Sequence, residues 1–143
     1  QLLQHWDAIK ERGLVVGLSG PLGAGKTEFT KGAADFLQIE DTITSPTYSY
    51  HIEYDFSRHD VKGFLHHLDL WKIDDPAVLE RLELQRLFGP RQVVIIEWWQ
   101  QGGEHIRQYV KSASPAPVLL EIDIQPDEHN RHRTIKISTA NNP

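Results

Sequence analysis

The 143 residues contain no cysteine and no methionine. The first absence excludes disulfides, thiolate zinc sites and thiol nucleophiles, and fits a cytoplasmic protein. The second means the initiator is missing, so a few residues are expected to be lost before Gln1. No apolar run reaches membrane-spanning length, and no signal peptide is recognisable. Excess positive charge is also lacking. The net charge of −5 argues against a dominant nucleic-acid footprint, although a local patch from Arg58, Lys62 and Lys72 stays open. Eight histidines are present without a ligand-like spacing. His66 and His67 are adjacent on a predicted strand and face opposite ways, whereas His51, His59, His129 and His132 lie in or near turns. Solvated or structural histidines are the expected reading. There is no internal repeat and no low-complexity tract. What remains is 39% hydrophobic and 24% charged, with four tryptophans. That suffices for one domain, expected over residues 1–143, with a real core.

One stretch organises the rest. Gly20-Pro21-Leu22-Gly23-Ala24-Gly25-Lys26-Thr27 fits the phosphate-loop pattern G-x-x-x-x-G-K-[ST] at every fixed position. Glycines let the backbone wrap closely around a phosphate with its N–H groups pointing inward. Lys26 would meet the β- and γ-phosphates, and the Thr27 hydroxyl would ligate Mg²⁺. The competing reading is a glycine-rich turn that happens to precede a lysine. The setting argues against it. Leu14-Val15-Val16-Gly17-Leu18-Ser19 reads as a buried strand, and Phe29, Gly32, Ala33, Phe36 and Leu37 fall at helical spacing. A helix starting there adds partial positive charge toward an anion.

The other segments fall into an alternating pattern. Residues 2–10 suggest a short amphipathic helix ending near Gly13. Pro46 forces Ser45 out of the α region, and Tyr48, Tyr50, Ile52 and Tyr54 alternate as a strand. Residues 55–63 look like a polar hairpin turn, followed by a second, antiparallel strand over residues 64–71. Asp75 and Pro76 read as cap and first residue of a helix that runs through Leu87 to a stop at Gly89-Pro90. Residues 92–98 are the most apolar run, hence a central strand. A loop at 100–103, a short helix through Val110, a linker at 112–117 and a hairpin of residues 118–125 and 133–139 complete the chain.

Four further positions could carry chemistry. Glu97 ends the apolar strand, where α/β sheets place their ligand crevice, and suits a Mg²⁺-linked carboxylate. The bland reading is a solvated strand-end acid. Asp69, between Leu68 and Leu70, would orient the attacking water, hold a Mg²⁺-bound water, or pair with Lys72. Thr47 would reach the γ-phosphate or its Mg²⁺, or else serve only local turn chemistry. Trp98 and Trp99 would stack on a base or a partner, or pack in the core.

The succession of Gly20–Thr27, Ser45-Pro46-Thr47-Tyr48, His67-Leu68-Asp69-Leu70-Trp71-Lys72 and Ile96-Glu97-Trp98 resembles the TsaE family, small bacterial P-loop ATPases. They are required for threonylcarbamoyladenosine (t6A) in tRNAs that read codons beginning with A. The resemblance covers nearly the whole chain. It implies that Gly23, Ala24, Gly25, Lys26, Thr27 and Glu28 contact the phosphates. It makes Thr47 a switch-like threonine, Asp69 the acid of a His-x-Asp-Leu-Tyr-Arg motif, and Glu97 and Trp98 a Glu-Trp pair whose acid is linked to magnesium. It also implies that Asn130, Arg131 and Arg133 of the terminal hairpin lie on the adenine side. Trp71 and Lys72 stand where Tyr and Arg are usual, Trp99 where Pro usually follows, and residues 55–63 look long.

The expected fold is α/β: a P-loop NTPase-like mixed sheet with antiparallel edge strands and a C-terminal β-hairpin, flanked by helices. The expected function is binding and hydrolysis of ATP with Mg²⁺, weak alone because no arginine finger is evident. The resemblance implies that TsaD and TsaB are partners and that hydrolysis resets their complex, while the acidic balance leads to the expectation that tRNA is touched only indirectly. Rival readings are a small nucleotide or metabolite kinase and a non-catalytic nucleotide sensor. The kinase would need an arginine-bearing lid, but Arg81, Arg86 and Arg91 are scattered along one helix and its end.

Overall fold

The computed structural model describes residues 2–21, 25–44, 46, 50–71, 73, 75–127 and 133–139, with the backbone alone at Arg133. Helix α1 is Trp6–Glu11, strand β1 Leu14–Ser19, helix α2 Lys26–Phe36, strand β2 His51–Arg58 and strand β3 Val61–Asp69. Helix α3 is Pro76–Leu82, strand β4 Gln92–Glu97, helix α4 Gly103–Ser112, strand β5 Val118–Pro126 and strand β6 Arg133–Thr139. Six strands form one mixed sheet in the order β2-β3-β4-β1-β5-β6. The inner pairs β3–β4, β4–β1 and β1–β5 are parallel, and the outer pairs β2–β3 and β5–β6 are antiparallel. This is a P-loop NTPase-like fold.

The two faces of the sheet bury different residues because strand side chains alternate. Val93 and Ile95 of β4 join Val16 and Leu18 of β1 against Ile9 of α1 and Ala33 and Ala34 of α2. Val94 and Ile96 face the other way, with Val15, against Leu79 of α3 and Ile106 and Val110 of α4. Strand β4 is thus covered on both sides, which explains its unbroken apolar run. No described helix is long and apolar enough to cross a membrane.

Two expectations need correction. The first hairpin does not turn over residues 55–63. Its strands run through to Arg58 and Val61, joined by His59 and Asp60 at φ 50° and 66°, the left-handed pair a tight two-residue turn requires. Outward Asp55 and Ser57 hid the alternation with buried Tyr54 and Phe56. Gly63 sits opposite Phe56 because a Cβ there would lie 2.0 Å from the Arg91 carbonyl oxygen. The helix capped by Asp75, whose carboxylate accepts from the Ala77 N–H at 3.0 Å, stops at Leu82. Glu83 takes φ 51° and a 3-10 turn, Leu84–Leu87, follows. The break lets Leu84 be fully buried in the second apolar layer.

Candidate functional site

Strand order builds the site. Because β4 lies between β3 and β1, their C-terminal ends converge: Asp69 pairs in register with Glu97, and Leu18 with Glu97 on the other side. Helix α2 starts over that edge. Its cap, Gly25, has φ 103° with open space where a Cβ would be, so glycine is required there for backbone conformation and not for room. The N–H groups of the first turn of this 11-residue helix have no partners within the helix and carry its positive end.

Lys26 is 5% exposed. Its Nζ donates to the carbonyls of Gly20 at 2.7 Å and Pro21 at 2.8 Å, and lies 4.1 Å from the centre of the Trp98 ring. Burial pushes its pKa down, with Glu97 and Asp69 opposing. Trp98 adopts φ 58° and ψ 43°, and its ring meets that of half-exposed Trp71 at 4.2 Å. The loop's own carbonyls and an aromatic face thus satisfy the ammonium.

The Thr27 hydroxyl donates to the Glu97 carboxylate, 3.3 Å from Oε1 and 3.4 Å from Oε2. Glu97 is 3% exposed and also accepts from His67 Nε2. Asp69 Oδ1 accepts the Trp71 N–H at 2.9 Å. Burial pushes the Asp69 carboxyl up, the Trp71 N–H opposes, and the Glu97 charge adds to the rise. A hydroxyl beside a buried carboxylate is a set of hard oxygen donors, which fits Mg²⁺. The buried lysine and the helix N-terminus fit phosphate oxygens.

The structure brings together Gly25, Lys26, Thr27, Asp69, Glu97 and Trp98. Glu28 is one residue away but exposed and paired with Lys31 at 3.3 Å. Gly23, Ala24, Thr47, Asn130 and Arg131 lie outside the described residues, and Arg133 is placed only as the first residue of β6. Two contributors were not singled out from the sequence. Gln100 Nε2 donates to the Gly20 carbonyl at 3.2 Å, for which no local signal exists. His67, expected from the sequence to be solvated or structural, is buried and bonds Glu97.

Trp99 belongs to the core. It is 3% exposed and buttresses β1 from below. Its Nε1 donates to Glu121 Oε1 at 2.6 Å, which also accepts from Arg107 Nε at 2.8 Å. Burial alone would raise the Glu121 carboxyl, but the bonds from Arg107 and Trp99 outweigh it and hold it below its ordinary value. A lowered folded pKa contributes stability above the unfolded value and loses it as pH falls through the folded one. Glu121→Gln should therefore cost about 1–3 kcal/mol at neutral pH. In urea unfolding the gap from wild type should close as pH drops into the carboxylate range, and a gap independent of pH would contradict this account.

The family model described as "Threonylcarbamoyl adenosine biosynthesis protein TsaE" matches residues 1–135. The chain is 30% identical over 120 residues to the tRNA threonylcarbamoyladenosine biosynthesis protein TsaE of Haemophilus influenzae, covering 84% of this chain and 69% of that protein. The protein of the same name from Bacillus subtilis is 38% identical over 91 residues, 64% of this chain and 54% of that protein. That from Treponema pallidum is 33% identical over 104 residues, 73% of each.

Proposed function

Because this chain belongs to the TsaE family of threonylcarbamoyl adenosine biosynthesis proteins, we propose that it binds ATP at the loop between β1 and α2, hydrolyses it, and thereby supports tRNA threonylcarbamoyladenosine formation. The observation that carries the reading is the meeting of Thr27 with Glu97, and of Lys26 with the adjacent Trp98, at the converging strand ends.

Lys26 would exchange the Gly20 and Pro21 carbonyls for the β- and γ-phosphate oxygens, a charge-assisted replacement for two neutral acceptors. The α2 N-terminus would take the remaining oxygens. Thr27 and Glu97 would hold Mg²⁺, which when bound supplies neutralisation of the phosphate charge. Asp69 would orient the attacking water, and Thr47 would approach the γ-phosphate. The water oxygen bonds to the γ-phosphorus as the bond to the β,γ-bridging oxygen breaks, giving ADP and inorganic phosphate. Trp98, Asn130, Arg131 and Arg133 would complete the nucleotide pocket.

Turnover alone should be slow. Arg107 and Arg86 are engaged by Glu121 and Glu83, and among the described residues no arginine bonds to Lys26, Asp69 or Glu97. A partner would complete the site, for which the TsaD–TsaB complex is proposed, with hydrolysis resetting that complex between rounds of modification. The test is steady-state phosphate release with the protein alone and with purified TsaD–TsaB. A low rate that rises with the complex is expected. A rate indifferent to the complex, phosphate delivered to a small acceptor, or sustained multi-turnover tRNA modification without this protein would overturn the reading.

A further inference from the structure

His67 is fully buried on β3, two residues before Asp69 and so on the same face. Its Cα partners are Ile52 and Ile95, which puts it one step diagonal to Glu97 on the neighbouring strand. Its Nε2–H donates to Glu97 Oε2, while its other nitrogen, Nδ1, is buried and has no partner among the described residues. As a packing residue this is a poor choice. A leucine would fill comparable space without an orphaned polar atom, which costs stability when desolvated. What the imidazole gains is the bond to Glu97. That carboxylate is thus held from two sides, by the ring on β3 and by the Thr27 hydroxyl on α2. A glutamate has three rotatable bonds, and a single weak contact at 3.3 Å from Thr27 would leave it several orientations.

We propose that His67 is a positioning residue that fixes the Glu97 carboxylate against Thr27 in the orientation a divalent cation requires. The inference rests on the reading of Thr27 and Glu97 as the pair that holds Mg²⁺. Ligand-orienting partners of this kind typically carry a 10–100-fold share of metal affinity.

The test compares His67→Gln, His67→Asn and His67→Leu. The glutamine amide places a donor where Nε2 stands, the shorter asparagine amide does not reach it, and leucine has none. Binding of a fluorescent ADP analogue is titrated in EDTA and then across Mg²⁺ concentrations, and bound Mn²⁺ is counted by electron paramagnetic resonance. His67→Leu and His67→Asn should raise the Mg²⁺ concentration for half-maximal enhancement about tenfold, leaving metal-free affinity in place. His67→Gln should stay near wild type, and His67→Leu should add nothing on a Glu97→Gln background. If His67→Leu does not fold, the Asn–Gln contrast carries the same decision. Equal shifts in Gln and Asn, or wild-type Mg²⁺ dependence in Asn and Leu, overturn the proposal. A wild-type protein whose nucleotide binding ignores Mg²⁺ overturns instead the Thr27–Glu97 reading beneath it.

Discussion

Lys26→Met should lower kcat/KM for ATP by about 10²–10³-fold, the loss typical of one electrostatic donor at a transition state, without lowering the melting temperature. The two halves of this expectation come from the same geometry. Methionine keeps an unbranched apolar stem and removes the ammonium, together with its contact to the Trp98 ring. That charge is held at a cost, because burial pushes the Lys26 pKa down. The carbonyls left behind are not stranded. Gly20 keeps the Gln100 amide at 3.2 Å, and Pro21 is exposed to water. A cationic side chain that costs stability at rest and is buried against its own loop is the pattern of a residue kept for what it binds. Phosphate-release kinetics and calorimetry on one preparation decide the matter. A melting temperature several degrees lower in Lys26→Met would mean that Lys26 is a structural strut, and the rate loss could then not be assigned to phosphate recognition.

The fold was legible where function or burial forces residue types locally. A phosphate loop demands glycines, lysine and threonine at fixed spacing, and a strand covered on both sides demands the unbroken run of β4. The positions of Lys26, Thr27 and Glu97 therefore emerged from the chain alone. What local patterns do not encode is register between strands distant in sequence. Alternation assigns His66 and His67 to opposite faces, but only the pairing of Asp69 with Glu97 reveals that His67 faces the α2 side. Its partner there is a glutamate 30 positions on, which in turn bonds a threonine 40 positions before the histidine. Gln100 escaped for the same reason. The misread first hairpin has a different cause. Its outer face is polar and its inner face includes Gly63, a residue rare in strands, whose purpose is visible only when the Arg91 carbonyl is seen against it.

The largest stability loss should come from one methyl group under the phosphate loop. A Cβ on Gly17 would lie 2.2 Å from Cδ2 of Trp99 and within 2.7 Å of two more ring atoms. The ring has nowhere to retreat. Gly103 also lies against the ring, where a Cβ would be 2.4 Å from Cε2 and Nε1, and Nε1 is tied to Glu121 at 2.6 Å. Nor can the backbone yield cheaply, since β1 is paired on both sides, to β4 and to β5. Gly17→Ala should therefore cost about 3 kcal/mol, the upper end of ordinary overpacking, and lower the melting temperature by about 10 °C. Trp99→Leu alone also destabilises, by leaving a cavity and by stripping Glu121 of a donor. Combined with Gly17→Ala, however, it vacates the space that the new methyl needs. The double variant should be more stable than the sum of the single losses predicts by about 1–2 kcal/mol. Strict additivity in thermal unfolding of the four proteins would show that β1 moves aside instead. In that case Gly20 at its end would shift too, and ATP affinity should fall in Gly17→Ala alongside stability. If the ring is the obstacle, the coupling appears and Gly17→Ala keeps its ATP affinity.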